Sequence, residues 1–126
     1  EPMLNKTRDS YNLDFISQRV AEAAIADQAY VRGNWQKVIA ERNRLKARLH
    51  DLGLLCADSQ ANFLLATIPE SINPSAAGLY QKLKEGHILV RYFKAERLND
   101  KLRISVGTRG ENNQLLATLE EILNQS

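Results

Sequence analysis

The sequence contains little that supports disulfide, metal or membrane chemistry. Its 126 residues include one cysteine, Cys56, which excludes an intrachain disulfide and is typical of a reducing compartment. The two histidines, His50 and His87, stand apart, and no group of Cys, His and Asp has metal-ligand spacing. No apolar run approaches the roughly 20 residues that a helix needs to cross a bilayer, so we expect no membrane partner.

Charge of one sign is not in large excess either. The formal net charge of +2 is too small by itself to indicate a nucleic-acid partner. A basic run over residues 37–48 is interrupted by Glu41, and no aromatic platform accompanies it. We interpret this run as the solvated face of a helix, and we expect no nucleic-acid partner.

The first half of the chain has the apolar spacing of two helices. Asp14 stands in N-cap position for a helix that we expect to reach about residue 32, where Gly33 would end it. A second helix is predicted over residues 35–52, because apolar residues recur there at three- and four-residue steps. Gly53 then occupies a C-cap position.

The second half alternates short strand-like runs with helical segments. The strands are predicted at residues 54–57, 62–67, 88–93 and 102–108. One helix is predicted over residues 75–84, and a last helix follows the capping-box pair Thr108 and Glu111. The connections are short, which favours antiparallel pairing with the helices on one face of the sheet.

The predicted fold class is therefore α+β. Long N-terminal helices precede a small, mainly antiparallel sheet with helices packed on one face. A chain of this length can bury a substantial core, so we expect one domain over residues 1–126. Within it we distinguish a helical connecting segment, residues 1–53, from an α+β subdomain, residues 54–126.

Two of the predicted strands each carry one arginine among apolar residues, namely Arg91 and Arg103. Such an arginine needs an anionic partner or an open face, because burying an unpaired charge is costly. If the two strands pair as a hairpin, both guanidinium groups can reach one anion, and their planar geometry suits carboxylate or phosphate. Alternatively, Arg103 is an exposed strand residue paired with Asp100 or Glu111, and Arg91 is a solvated residue at a strand end.

Two further residues have reactive side chains but are interpreted as structural. Arg42 lies within the apolar stripe of the second predicted helix, which indicates a snorkelling side chain or a contact with another domain. Cys56, in a short predicted strand, is interpreted as a small core residue.

Residues 62–65, 86–91 and 102–108, in this order, resemble a known family. They resemble the C-terminal small domain of histidinol-phosphate aminotransferase, a fold-type I pyridoxal-phosphate enzyme. The resemblance extends through nearly the whole chain, beginning at residues 6–12, where Ser10 replaces the proline usual in the family. Its most specific match is the segment 102–108 around Arg103.

The resemblance implies a substrate-binding role for both arginines. Arg103 matches the family arginine that binds the substrate's phosphate, and Arg91 matches a second arginine near the same end. It also implies a cytoplasmic, homodimeric parent that moves an amino group between histidinol phosphate and 2-oxoglutarate with pyridoxal 5'-phosphate. The family's Schiff-base lysine motif is missing from this sequence, so we expect a separate large domain to bind the cofactor, and this chain alone to be inactive.

Two other interpretations stay open. The same domain could belong to an aromatic amino-acid aminotransferase, because the wider class also uses an arginine in this last strand to bind a substrate carboxylate. Alternatively, the chain is a stand-alone α+β module that binds a small anion without chemistry. The first residue is Glu1 rather than Met, which favours a processed product or a piece of a longer protein.

Overall fold

Residues 13–125 form four helices and four strands, joined by turns and loops. This computed structural model describes Met3 and residues 13–125, so the segment 6–12 lies outside the described residues. The elements are α1 (Phe15–Ala26), α2 (Gln28–Asp51), β1 (Leu55–Cys56), β2 (Phe63–Thr67), α3 (Ala76–Glu85), β3 (Arg91–Tyr92), β4 (Lys101–Ser105) and α4 (Arg109–Asn124). The chain divides into two compact units, Glu1–Trp35 and Gln36–Ser126.

The first unit contains α1, which begins as predicted. The carboxylate of Asp14 accepts hydrogen bonds from the Ser17 backbone N–H at 2.9 Å and from its hydroxyl at 2.6 Å. These bonds lower the pKa of Asp14, because they stabilise its ionised form. No residue of α1 is buried, although the helix is rich in apolar side chains.

The break between the first two helices lies at Asp27, so the prediction of an end at Gly33 was wrong. The Asp27 carboxylate accepts a hydrogen bond from the Tyr30 backbone N–H, which is how an N-cap residue opens a new helix. Gly33 instead lies inside α2. A single glycine costs a helix only about 1 kcal/mol, which neighbouring turns can offset.

The C-terminal end of α2 agrees with the prediction. Gly53 has a φ of +83°, the left-handed conformation that glycine adopts without a Cβ penalty. The Gly53 N–H bonds to the His50 carbonyl and the Leu54 N–H to the Leu49 carbonyl, both at 2.9 Å. This pair of bonds is a Schellman motif, which satisfies two of the carbonyls at the helix end.

The second unit contains one four-stranded sheet with strand order β1-β2-β4-β3. All three pairings are antiparallel, and β2 and β4 form the central pair with five aligned residues, from Phe63 opposite Ser105 to Thr67 opposite Lys101. This arrangement confirms the predicted α+β class with a small antiparallel sheet.

One face of the sheet is covered and the other is open. Alternation along β2 and β4 buries Leu64, Ala66, Leu102 and Ile104. These side chains form one apolar core with leucines of α2, α3 and α4, among them Leu45, Leu49, Leu79, Leu83, Leu115, Leu116 and Leu119. The part of α2 within the second unit, α3 and α4 therefore lie on one side of the sheet, and the residues between the buried ones point to the other side.

The last two strands are shorter than predicted. Residues at the predicted ends of both strands form hydrogen bonds within the neighbouring helix caps instead of within the sheet. His87, at a φ of 60°, is the left-handed residue of a second Schellman motif after α3, and the Ile88 N–H bonds to the Leu83 carbonyl. β3 is thus restricted to Arg91–Tyr92. Likewise, β4 ends at Ser105, because Gly107 already bonds to the side chain of Asn112.

Candidate anion-binding face

Arg91 and Arg103 are directly opposite one another in the antiparallel pair β3 and β4. Opposite residues of such a pair share a face, with Cβ atoms about 4.5–5.5 Å apart. The antiparallel pairing that a shared anion site requires is therefore present. Both side chains are exposed on the open side of the sheet.

The carboxylates that could have neutralised Arg103 have other partners. Asp100 accepts a hydrogen bond from the Lys101 ammonium at 2.7 Å, which lowers the pKa of Asp100. Glu111 accepts hydrogen bonds from the Thr108 backbone N–H at 2.7 Å and hydroxyl at 2.8 Å, and these lower the pKa of Glu111. Across residues 13–125, the ion pairs include neither Arg91 nor Arg103.

Each guanidinium group instead lies over an aromatic ring. The guanidinium carbon of Arg103 is 5.4 Å from the ring centroid of Phe63, and that of Arg91 is 5.5 Å from the ring centroid of Phe93. Cation–π attraction is significant within about 6 Å of the ring centroid. We call these four residues the arginine face.

The electrostatics of the arginine face favour an anion. Like charges directly opposite one another destabilise a strand pair, and the two guanidinium groups contribute such a repulsion. A phosphate or carboxylate placed between them would replace that repulsion with charge-assisted hydrogen bonds. Sequence reasoning identified both arginines but neither ring, although Phe63 and Phe93 stand in or beside the same predicted strands.

The turn after β4 serves as a helix cap, as predicted. Thr108 and Glu111 form a complete capping box at the start of α4. Gly107 is packed so closely that an added Cβ would lie 2.9 Å from a Glu111 carboxylate oxygen. These contacts fix the chain where it leaves β4.

Sequence reasoning missed a buried polar network beside this turn. Asn112, only 2% exposed, accepts a hydrogen bond from the Gly107 N–H at 3.1 Å and donates to the Gly107 carbonyl at 3.0 Å. It also donates to Glu41, which accepts hydrogen bonds from the Arg44 guanidinium. The bonds from Arg44 and then Asn112 lower the pKa of Glu41. The available signal was an asparagine within the apolar stripe of the last helix.

Two residues that were interpreted as structural are buried. Arg42 is 7% exposed and donates a hydrogen bond to the Ala61 carbonyl at 2.9 Å. Cys56 lies in the core, and burial raises the pKa of its thiol. Its backbone N–H donates to Nε2 of His50 at 3.2 Å, so folding brings a histidine to the Cys56 backbone.

Other kinds of site are not found in the described part of the chain. Residues 13–125 contain no cluster of three His, Cys, Asp or Glu side chains that could hold a metal ion. None of the helices among them is long and apolar enough to span a bilayer. A cavity of about 380 Å³ lies between residues 87–90 and the first half of α4, and neither arginine lines it.

The fold and sequence match known proteins over almost the whole chain. The family described as aminotransferase class I and II matches residues 3–119. Histidinol-phosphate aminotransferase of Microcystis aeruginosa is 48% identical over 120 residues, which are 95% of this chain and 34% of that protein. Histidinol-phosphate aminotransferase 1 of a Nostoc species is 51% identical over 120 residues, 95% of this chain and 33% of that protein.

The structural comparison agrees with the sequence comparison. Histidinol-phosphate aminotransferase from Sinorhizobium meliloti, solved in complex with pyridoxal-5'-phosphate, matches 98% of this chain and 33% of its own, with a TM-score of 0.83 and 27% identity. The chain thus spans about a third of the length of the relatives that it matches. The family match, which covers nearly all of the chain, shows that this protein belongs to the class I and II aminotransferases.

Proposed function

We propose that this chain is the C-terminal substrate-binding domain of a histidinol-phosphate aminotransferase. The parent enzyme would convert histidinol phosphate and 2-oxoglutarate to imidazole-acetol phosphate and glutamate, in histidine biosynthesis. The relatives that carry this name are 48% and 51% identical to the chain, and this similarity supports the assignment. The observation that carries the proposed role of the domain is the cross-strand pair Arg91 and Arg103, without a carboxylate partner among residues 13–125.

In this proposal Arg103, with Arg91 beside it, binds the phosphate end of the substrate. Two guanidinium groups on one sheet face can each present N–H donors to one oxygen-rich anion. A substrate anchored in this way is held at a fixed distance and angle from the reacting centre, and such positioning contributes to the rate. The domain's own contribution is therefore binding and orientation.

The lysines of residues 13–125 do not fit the role of cofactor ligand. Lys46 pairs with Asp58 and Lys101 with Asp100. The others, Lys37, Lys82, Lys84 and Lys94, are exposed on helices or in the loop after β3. When bound in the parent, pyridoxal phosphate supplies the electron sink for amino-group transfer. We propose that the large domain holds it and that this chain alone does not transaminate.

The composition of α1 supports docking of the N-terminal segment on the rest of the parent. Phe15, Ile16 and Val20 are between 62% and 74% exposed, and Ile25 is 70% exposed. A helix that is apolar around most of its circumference is normally buried in a larger protein. We therefore propose that residues 1–53 connect the large domain to the α+β subdomain of residues 54–126, in a cytoplasmic homodimer.

The test is kinetic and uses the full-length protein that contains this chain. Replacing Arg103 by Ala is expected to lower kcat/KM for histidinol phosphate by about one to two orders of magnitude, because a hydrogen bond to a charged group contributes roughly 1.5–3 kcal/mol. Arg109→Ala, at an exposed position outside the arginine face, is the matched control and should leave kcat/KM unchanged. Equal kcat/KM for the Arg103 variant and the wild type would reject the assignment.

A further inference from the structure

The guanidinium group of Arg103 contacts an aromatic ring on the neighbouring strand. In the register of β2 and β4, Phe63 is opposite Ser105, and Arg103 is opposite Leu65. Phe63 and Arg103 are therefore diagonal neighbours on the open face, within reach of each other's long side chains. The guanidinium carbon of Arg103 lies 5.4 Å from the centroid of the Phe63 ring, and this apolar ring does not compete with an anion for the N–H donors as a carboxylate would.

The start of β2, where Phe63 lies, is anchored on several sides. The Ser59 hydroxyl donates to the Phe63 carbonyl at 2.7 Å and accepts from the Ala61 N–H at 3.1 Å. The buried Arg42 donates to the Ala61 carbonyl at 2.9 Å. The Val106 N–H also bonds to the Asn62 carbonyl at 2.9 Å, which ties this turn to the end of β4.

The aromatic partner of Arg91 is held less firmly. Phe93 follows the two-residue strand β3 and lies outside it, two positions along the same chain segment as Arg91. Phe63, in contrast, begins a five-residue strand that is aligned with β4 along its whole length, with Ser105 opposite Phe63. The two rings therefore offer a comparison between an anchored and a less anchored cation–π contact.

We propose that Phe63 is a positioning residue that holds the guanidinium group of Arg103 with its N–H edge toward the substrate's anionic group. This inference rests on the proposed function and adds the residue that prepares the site. An exposed arginine otherwise loses much side-chain freedom when it binds an anion, and an arginine that is already stacked loses less. Removing the ring should therefore weaken anion binding without removing any hydrogen-bond donor.

The first readout is the side-chain Nε–Hε signal of each arginine in NMR spectra of the chain. Phe63→Leu should shift the signal of Arg103 through loss of the ring current and leave that of Arg91 in place. Phe93→Leu, the matched control, should shift the signal of Arg91 and leave that of Arg103 in place. A general disturbance of the sheet would move both signals in either variant, and this result would overturn the proposal.

The second readout is titration with inorganic phosphate. Phe63→Leu should raise the Kd for phosphate about two- to fivefold, the range that corresponds to an exposed cation–π contact. Phe63→Trp should keep or tighten binding, because Trp is the strongest cation–π partner, and this variant tests the proposal even if Phe63→Leu does not fold. An unchanged Kd in Phe63→Leu, or weaker binding in Phe63→Trp, would overturn it.

Arg103→Gln, which removes the charge, separates this inference from the proposed function. If this variant binds phosphate as tightly as the wild type, then the arginine face is not the anion site and both proposals fail. If it binds more weakly while Phe63→Leu binds normally, only the positioning role of Phe63 is rejected.

Discussion

Arg91 and Arg103 lie opposite one another on the open face of an antiparallel sheet, and no carboxylate among residues 13–125 neutralises either of them. A strand pair of this kind carries an electrostatic cost that a bound anion would relieve. The domain therefore combines a well-packed core on one side of its sheet with a cationic surface on the other. Stability and binding are separated between the two faces, which allows each to be tested alone.

The repulsion between the two arginines predicts that removing one charge stabilises the free chain. In the Phe93→Leu background, where the cation–π contact of Arg91 is already absent, Arg91→Gln should raise the free energy of unfolding by about 0.2–1 kcal/mol in low-salt buffer without phosphate. Urea unfolding monitored by circular dichroism measures this change. Lys94→Gln removes one positive charge from an exposed loop position and is the control for net charge.

Added phosphate should cancel this gain, because the chain that keeps both arginines then binds an anion that the variant binds poorly. High concentrations of sodium chloride should also reduce the gain, because salt screens exposed charges. A stability difference that is unaffected by phosphate would contradict the shared anion site.

The buried amide of Asn112 predicts a large loss of stability on truncation. Asn112→Ala should lower the free energy of unfolding by about 1–3 kcal/mol, because the Gly107 N–H and carbonyl would lose their partners beside a tightly packed turn. Asn113→Ala, at the next and exposed position of α4, should change it by less than about 0.5 kcal/mol. If both variants changed the free energy of unfolding by the same amount, the hydrogen bonds of Asn112 would not stabilise the fold.

The two Schellman motifs predict opposite effects of substitution. His87→Gly should raise the free energy of unfolding by about 0.5–1 kcal/mol, because glycine adopts the observed φ of 60° without steric cost. Gly53→Ala is the converse control. It should lower the free energy of unfolding by about 1 kcal/mol or more, because an alanine at this position must adopt a φ of +83°. Its Cβ would also lie 3.3 Å from Ile72. A destabilised His87→Gly variant would show that the left-handed backbone at residue 87 carries no steric cost.

Several features of the fold could be predicted from local sequence, and others could not. Asp14 and the pair Thr108 and Glu111 were identifiable because a helix cap is made within three or four residues. The helix break at Asp27 was missed because a glycine six positions later looked like the stronger signal. Likewise, strand 88–93 was predicted too long, because its apolar pattern does not reveal that His87 and Ile88 belong to a helix cap.

The candidate site, too, could be predicted only in part from local sequence. Alternation along one strand was enough to place Arg103 on the open face, and the hairpin placed Arg91 beside it. The contact between Phe63 and Arg103 depends on the register of β2 and β4, which sequence spacing does not define. The bond between Glu41 and Asn112 joins residues 71 positions apart and arises only from helix packing.

The lowered pKa of Glu41 predicts how stability changes in acid. Hydrogen bonds from Arg44 and Asn112 hold this pKa below the ordinary value of 4.5, so the ionised carboxylate stabilises the folded state. The contribution is present above the unfolded pKa and is lost as the pH falls through the lower, folded pKa. Glu41→Gln should therefore reduce the loss of stability below about pH 4.5, measured by urea unfolding over a pH series. Parallel pH profiles for wild type and variant would contradict this role.

The measurement that tests the central claim most directly is an NMR titration of the chain with inorganic phosphate, in which the Nε–Hε signals of Arg91 and Arg103 are followed. If both guanidinium groups bind one anion, their signals should shift together and give the same Kd, while that of the buried Arg42 stays in place. If the signals of Arg91 and Arg103 do not shift, or if they give two unrelated affinities, the arginine face is not a shared anion-binding site.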